Sequence, residues 1–224
     1  MDPKEQDIAV LFDRISKRYD LLNHLLSGFT DIRWRKKAVR ISLKPNVKTI
    51  LDVSTGTGDL AITYKRADNT LLIYGLDISM KMLQIARHKA QDVLYINGSG
   101  LNLPFKDNTF DLVSCAFGIR NIYPREQGIQ EFYRVLKPDG IIMILEFSMP
   151  EGLIGRLYRI YFDRILPYFG NLISGTDAYT YLTSSVEAFP EPGMFIQMLS
   201  SKGFRNIHVT DLTFGIARIY TGNK

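Results

Sequence analysis

The spacing that most clearly carries chemistry in this chain is that of Asp52, Gly56, Thr57, Gly58, Asp59 and Asp77. An apolar run over residues 50–53 reaches an acid, a turn of small residues follows, and a helix-like pattern starts at Asp59. Glycine lets a backbone approach a ligand closely. A parallel strand feeding such a turn places a nucleotide-type ligand in the crevice above a sheet. Two ligands compete for it. The spacing Gly56-x-Gly58-x-x-Ala61 meets the relaxed dinucleotide fingerprint, and Asp77, 19 residues after Gly58, can hold the ribose of NAD. S-adenosylmethionine carries the same diol, and a carboxylate accepts two hydrogen bonds from either nucleoside.

Three features favour the methyl donor. Asp52 lies on the strand itself, four residues before Gly56, where it would repel a pyrophosphate but suits an ammonium and a sulfonium. Asp59 adds a negative charge at a helix start that a phosphate site would leave free. Gly98, Ser99 and Gly100 form a second close-approach turn, placed where an adenine ring can lie. Asp52 has a structural alternative, as a cap within the turn.

The elements that must position these groups follow from periodicity. Strands are expected over residues 49–53, 71–76, 93–96, 110–116 and 141–147, and helices over 59–66, 80–90 and 125–136. Ser79 is placed to cap the second of these helices, and residues 137–140 (Lys-Pro-Asp-Gly) stop the third. This alternation implies an α/β fold, a doubly wound Rossmann-like sheet. Residues 205–211 and 214–220 read as an antiparallel hairpin at one edge. Before the sheet, Ile8, Leu11, Phe12, Ile15, Tyr19, Leu22 and Leu26 recur at helical steps, with a break expected near Tyr19-Asp20. A second short helix ends before Pro45. Together they make N-terminal helices over residues 1–46, either core or a lid. Residues 152–169 are apolar and aromatic with Arg156, Arg159 and Arg164 interleaved; residues 170–190 read as polar and turn-rich; residues 191–202 form another helix. The 224 residues make one domain, with 151–202 a helical insertion.

Bulk properties narrow the function. The net charge of +5 permits an anionic partner, but no basic, aromatic-rich module for nucleic acid stands out. The single cysteine, Cys115, excludes an intramolecular disulfide. His24, His88 and His208 lack metal-ligand spacing, so no metal is expected. No stretch offers ~18 consecutive apolar residues, and residues 1–7 lack an apolar leader. The expected location is the cytoplasm, at the inner membrane face if the 152–169 segment meets lipid headgroups. That segment can equally serve a core or a homodimer.

The chain resembles the class I S-adenosylmethionine-dependent methyltransferases and, more closely, the ubiquinone/menaquinone biosynthesis C-methyltransferase family. The likeness rests on Tyr19-Asp20-x-x-Asn23-x-x-Leu26-Ser27-x-x-x-Asp31-x-x-Trp34, on Leu51-Asp52-Val53 with Gly56-Thr57-Gly58-Asp59-Leu60, and on Phe117-Gly118-Ile119-Arg120-Asn121. It continues through Arg134-Val135-Leu136-Lys137-Pro138, Glu146-Phe147-Ser148 and Tyr179-x-Tyr181-Leu182-x-x-Ser185. It implies transfer of a methyl group to a ring carbon of a prenylated quinol, demethylmenaquinol before a benzoquinol. It also implies donor contacts at Thr57, Asp77, Ser99 and Gly100. Arg120 is then the candidate to stabilise a quinolate and Asn121 to orient the hydroxyl. For Arg120 the alternative is a structural pair with Asp59 or Glu146. Tyr181 and Asp31 are further candidates near the substrate. The chain departs from the family pattern at Asp31 (usually His), Thr55 (Gly or Cys), Ser99-Gly100 (Asn-Ala) and Asp139 (Gly).

Overall fold

In the computed structural model, residues 3–150 and 178–224 are described, with residues 152, 155, 158, 159, 161–168 and 171 between them. The first strand, β1 (Thr49–Val53), shows how the sheet is built. Ile50 faces one core while Leu51 and Val53 face the other, as the two-residue period of a strand buried on both faces requires. β2 (Leu72–Asp77), β3 (Leu94–Asn97), β4 (Phe110–Ala116) and β5 (Leu136–Phe147) lie parallel to it. β6 (Arg205–Leu212) and β7 (Ala217–Asn223) form the hairpin, with β7 antiparallel to β5, and the seven-stranded order is β3-β2-β1-β4-β5-β7-β6.

Helices cover both faces. α2 (Thr30–Ser42), α3 (Asp59–Ala67) and α4 (Met80–Lys89) pack Trp34, Leu60, Tyr64 and Leu83 against Ile50, Ile73 and Met143. α5 (Arg125–Val135) and α7 (Pro192–Ser201) cover the other face with Ile129, Phe132, Phe195 and Leu199. α1 (Pro3–Leu26) and α6 (Ala178–Glu187) lie over the carboxyl ends of the strands, where Ile15, Leu22, Phe162, Tyr179 and Val186 form a third cluster. Order reversal between β1 and β4 opens the crevice at this end, the usual ligand position in such sheets.

Four expectations on element boundaries need correction. α1 runs without a break through Tyr19-Asp20, because Asp20 is held from outside by Thr57 and Lys89 while Leu22 continues the buried face. β5 begins at Leu136 rather than Ile141: residues 137–140 stop α5 and then enter the sheet as an irregularity, with Asp139 at φ 61° and a register shift opposite Phe110 and Leu112. α6 replaces part of the stretch read as turn-rich; Tyr179 and Val186 are buried on one side of it. The last strand starts at Ala217, after a 3₁₀ turn at Thr213–Gly215, and extends to Asn223 by pairing with β5. Ser79 caps α4 as expected, its Oγ accepting from the Met82 N–H at 3.2 Å. Much of residues 152–169, including Arg156, and residues 172–177 lie outside the described residues.

Candidate active site

Strand β1 delivers the chain into a turn whose two glycines do different work. Gly56 (φ +57°) sits on open space, and its N–H donates to Asp77 Oδ2 at 2.8 Å. Gly58 (φ +86°) has no such space: a Cβ there would stand 2.7 Å from Tyr95 Oη and 3.2 Å from Ala86 Cβ. Gly58→Ala should therefore destabilise the ligand-free chain by about 1–3 kcal/mol, more than Gly56→Ala, in denaturant unfolding. Gly56→Ala should instead weaken donor binding, because its methyl projects into open space beside Asp77.

Asp77 ties this turn to the next helix. Its Oδ1 accepts the Ser79 N–H at 2.8 Å while Oδ2 takes Gly56. The Ile78 N–H also bears on this carboxylate, and the acceptor capacity that remains is available to a diol hydroxyl. Burial pushes the Asp77 carboxyl up to about 6 against the pull of those N–H groups. Gly56, Asp77, Ile78, Gly98, Gly100 and Asn121 line a cleft of about 620 Å³, with Glu5, Ile8 and Phe12 of α1 over it. A Cβ at Gly100 would meet Ile122 Cδ1 at 2.8 Å, so the alanine usual in the family pattern requires the tip of that side chain to shift. Among the described residues no lysine or arginine lines this cleft, whereas two carboxylates do. That lining fits a sulfonium donor and opposes a pyrophosphate.

The other sequence candidates stand around the cleft. Asp52 lies behind the turn, 2 % exposed, accepting from Thr55 Oγ1 at 2.7 Å and Ser114 Oγ at 2.8 Å. Burial lifts its carboxyl to about 6. Thr57 turns toward α1 and donates to Asp20 at 2.5 Å; Ser99 donates to Glu5. Ser79 likewise donates to Asp13 at 2.5 Å. Three acids of α1 thus sit on three hydroxyls, in the loops after β1, β2 and β3. Asp59 faces away from the cleft, paired with Lys89, with Arg35 and His24 each at 3.8 Å.

A second cavity, of about 1150 Å³, adjoins the first and shares Phe12, Tyr19 and Phe117 with it. Its walls are mostly aromatic: Trp34, Phe147, Tyr158, Tyr161, Phe162, Tyr179 and Tyr181. Phe117 and Phe147 form a tilted pair, with 31° between the ring planes and centroids 4.4 Å apart. The Arg120 guanidinium lies 5.6 Å from the Phe147 centroid and that of Arg35 lies 5.6 Å from the Phe117 centroid. Of its two alternative partners, Arg120 takes Glu146, at 2.8 Å, with further bonds to the Phe117 carbonyl and to Ser185 Oγ at 3.2 Å. Tyr181 donates to Asn121 Oδ1 at 3.0 Å, leaving the amide nitrogen of Asn121 to donate elsewhere.

Asp31 lines the same cavity and collects three donors: Arg35 at 2.5 Å, His24 at 2.7 Å and Ser27 at 2.8 Å. Burial raises its carboxyl, but the charge and hydrogen bond of Arg35, then Ser27 and His24, outweigh it and the net shift is downward. Sequence reasoning missed Arg35 and His24. Each stands four or seven residues from Asp31, a spacing that only becomes a cluster once α1 and α2 pack. Tyr19, an apolar helical position and part of the family motif in the sequence, has no site role assigned to it there. It separates the two cavities; burial raises its hydroxyl, while the charges of Arg120 and Arg35 pull it down.

A family model, the ubiE/COQ5 methyltransferase family, matches residues 1–224. The chain belongs to that family. It is 46% identical to the demethylmenaquinone methyltransferase of Thermus thermophilus over 220 residues, covering 96% of this chain and 100% of the relative. It is also 46% identical to the ubiquinone/menaquinone biosynthesis C-methyltransferase UbiE of Syntrophotalea carbinolica, over 97% of this chain and 94% of the relative. Among solved structures, a SAM-dependent methyltransferase from Thermotoga maritima superposes with a TM-score of 0.71 at 21% identity, over 96% of this chain and 98% of the other. As a ubiE/COQ5 methyltransferase the chain is an S-adenosylmethionine-dependent enzyme, and the dinucleotide reading of Gly56-x-Gly58 falls away. S-adenosylmethionine fits the cleft around Asp77 by the lining chemistry given above.

Proposed function

We propose that the chain transfers the methyl group of S-adenosylmethionine to a ring carbon of a prenylated quinol, with demethylmenaquinol as the acceptor. The observation that carries this reading is the pairing of an acidic cleft with a large aromatic cavity across Phe12, Tyr19 and Phe117. The donor, when bound, supplies a methyl group already activated by its positive sulfur. The chain must align the acceptor with it, exclude water and make the ring carbon electron-rich. A phenolic hydroxyl of pKa ~10 costs about 4 kcal/mol to ionise at neutral pH. Arg120, fixed by Glu146 beside the Phe147 ring, lowers that cost by placing a positive charge near the forming quinolate. Asn121, set by Tyr181, orients the hydroxyl. Thr57, Ser99 and Gly100 form the rim of the donor site, and Asp52 its buried negative support.

In this reading residues 1–46 are the lid, since α1 contributes to both cavities and holds the strand ends through Glu5, Asp13 and Asp20. The 151–202 insertion shapes the acceptor side. Leu21, Leu25 and Phe29 are 59%, 52% and 52% exposed, on the same segment as the exposed Arg14 and Arg18. Such a surface suits an anionic bilayer from which a prenyl tail enters. No described helix is long and apolar enough to cross a membrane. Incubation with methyl-labelled donor and a short-tailed demethylmenaquinol should yield labelled menaquinol. Label reaching only a benzoquinol acceptor would move the assignment to ubiquinone synthesis, and label reaching neither would end it.

A further inference from the structure

We infer that Asp31 makes the acceptor cavity selective for the reduced, hydroxyl-bearing form of the ring over its oxidised quinone; this rests on the quinol reading above. The oxidised form has the same ring, tail and nearly the same size, so aromatic contacts cannot reject it. A hydrogen-bond rule can. The cavity lining includes two polar clusters, Arg120 with Tyr181, and Asp31 with Ser27 and Arg35. The Arg120 guanidinium stands beside the Phe147 ring and the Arg35 guanidinium beside the Phe117 ring, each at 5.6 Å, and the two rings pack on each other. In this proposal a six-membered ring with oxygens at opposite positions, seated against those two rings, directs one oxygen to each cluster. If the reacting oxygen lies with Arg120, the other falls to Asp31.

Asp31 is 3 % exposed and its carboxyl is held ionised by its neighbours. An ionised carboxylate only accepts, through about four lone-pair positions. Arg35 and His24 occupy those of Oδ2, and Ser27 occupies one on Oδ1. One acceptor position is left. A hydroxyl fills it by donating. A quinone carbonyl has no proton to give and sets a second negative oxygen against the carboxylate. A site built to bond a substrate hydroxyl strongly rejects the analogue that lacks it. Tyr179 supplies an independent sign that this cavity receives a polar atom. It is 3 % exposed, lines the cavity, and its Oη has no partner among the described residues. A tyrosine hydroxyl can donate or accept, so Tyr179 bonds either redox form and the discrimination rests on Asp31.

The test uses the full chain saturated with S-adenosylhomocysteine, so that no turnover occurs. Trp34, the single tryptophan, lines the cavity and reports binding by fluorescence quenching. A short-tailed naphthohydroquinone, kept anaerobic, and the matching naphthoquinone are titrated in parallel. The wild-type chain should bind the hydroquinone at least tenfold more tightly. Asp31→Asn should bring the two within about threefold, mainly by tightening the quinone, because the new amide donates to its carbonyl. A merely structural lesion would not raise the affinity of any ligand. Asp31→Glu should restore the preference. A wild-type ratio near one, or an unchanged ratio in a folded Asp31→Asn variant, overturns the inference. Should that variant fail to fold, the wild-type chain decides with the two mono-O-methyl ethers of the hydroquinone. One ether should lose at least tenfold; equal binding of both overturns the assignment. Failure of both hydroquinone and quinone to quench Trp34 overturns the quinol reading itself.

Discussion

Arg120→Met should lose both stability and turnover, and adding Glu146→Gln should repair only the first. Glu146 is fully buried, and its Oε1 is held by the Arg120 guanidinium at 2.8 Å and the Phe147 N–H at 2.9 Å. Removing one member of such a pair leaves an uncompensated buried charge, a loss of about 3–5 kcal/mol in unfolding experiments. Neutralising the second member removes that penalty, and Gln keeps an oxygen to accept from Phe147. The double variant should therefore unfold within about 1–2 kcal/mol of the parent. Turnover has no such remedy. If Arg120 stabilises charge developing on the acceptor oxygen, its loss costs about 10²–10³ in kcat, the usual scale for one preorganised donor. Donor affinity should change little, because Arg120 lines the acceptor cavity and not the donor cleft. A double variant with parental stability and near-parental turnover would reduce Arg120 to a packing role. Equal losses in turnover and donor binding would do the same.

The second large effect concerns protons at the donor cleft. Burial lifts the Asp77 carboxyl to about 6 in the ligand-free chain, and Asp52 behind it likewise. Both values lie above the ordinary 3.8 of an unfolded aspartate. The folded chain therefore binds protons more tightly than the unfolded chain between about pH 4 and pH 6. By linkage, the contribution of each group to stability is fully present below about pH 4 and is lost as pH rises through 6, about 3 kcal/mol per group. A ribose diol and a cationic sulfonium favour the ionised carboxylate, so donor binding moves in the opposite direction to stability. S-adenosylmethionine should bind about tenfold more weakly at pH 5 than at pH 7.5. Asp77→Asn should lose roughly 10² in affinity at pH 7.5, the scale of two hydrogen bonds to a charged group, and should show a flatter pH profile. Calorimetric titration across pH 5–8 checks both. An Asp77→Asn variant that keeps the parental slope would exclude Asp77 as the titrating group.

What was legible in the sequence was local. The β1 turn reads directly, because a strand apolar on both faces, two glycines and a helix start fall within a dozen residues and each obeys its own steric rule. The Ser79 cap and the edge hairpin read for the same reason. α6 did not read, because Thr180, Thr183, Ser184 and Ser185 are weak helix formers. Three of those hydroxyls bond back to carbonyls three residues earlier. That helix exists because Tyr179 and Val186 find a core made by α1, a contact between residues far apart in the chain. Continuity of α1 through Asp20 has the same origin in Thr57 and Lys89. In the site, Gly56, Asp77 and Gly100 were found from their own strand ends. His24 and Arg35 were not, since their contacts to Asp31 and Asp59 arise only where α1, α2 and α3 converge.

The three acids of α1 also fix the direction of three hydroxyls. A hydroxyl carries one proton, and those of Thr57, Ser79 and Ser99 are all directed into the helix by Asp20, Asp13 and Glu5. Each oxygen accepts as well, from Lys89 Nζ at 3.3 Å, the Met82 N–H at 3.2 Å and the Leu101 N–H at 3.0 Å respectively. The helix is thus clipped to three successive strand-end loops by bonds in which it supplies only acceptors. Lifting α1 costs three hydrogen bonds to carboxylates together, so the seating of one helix governs the hydroxyls of three separate loops.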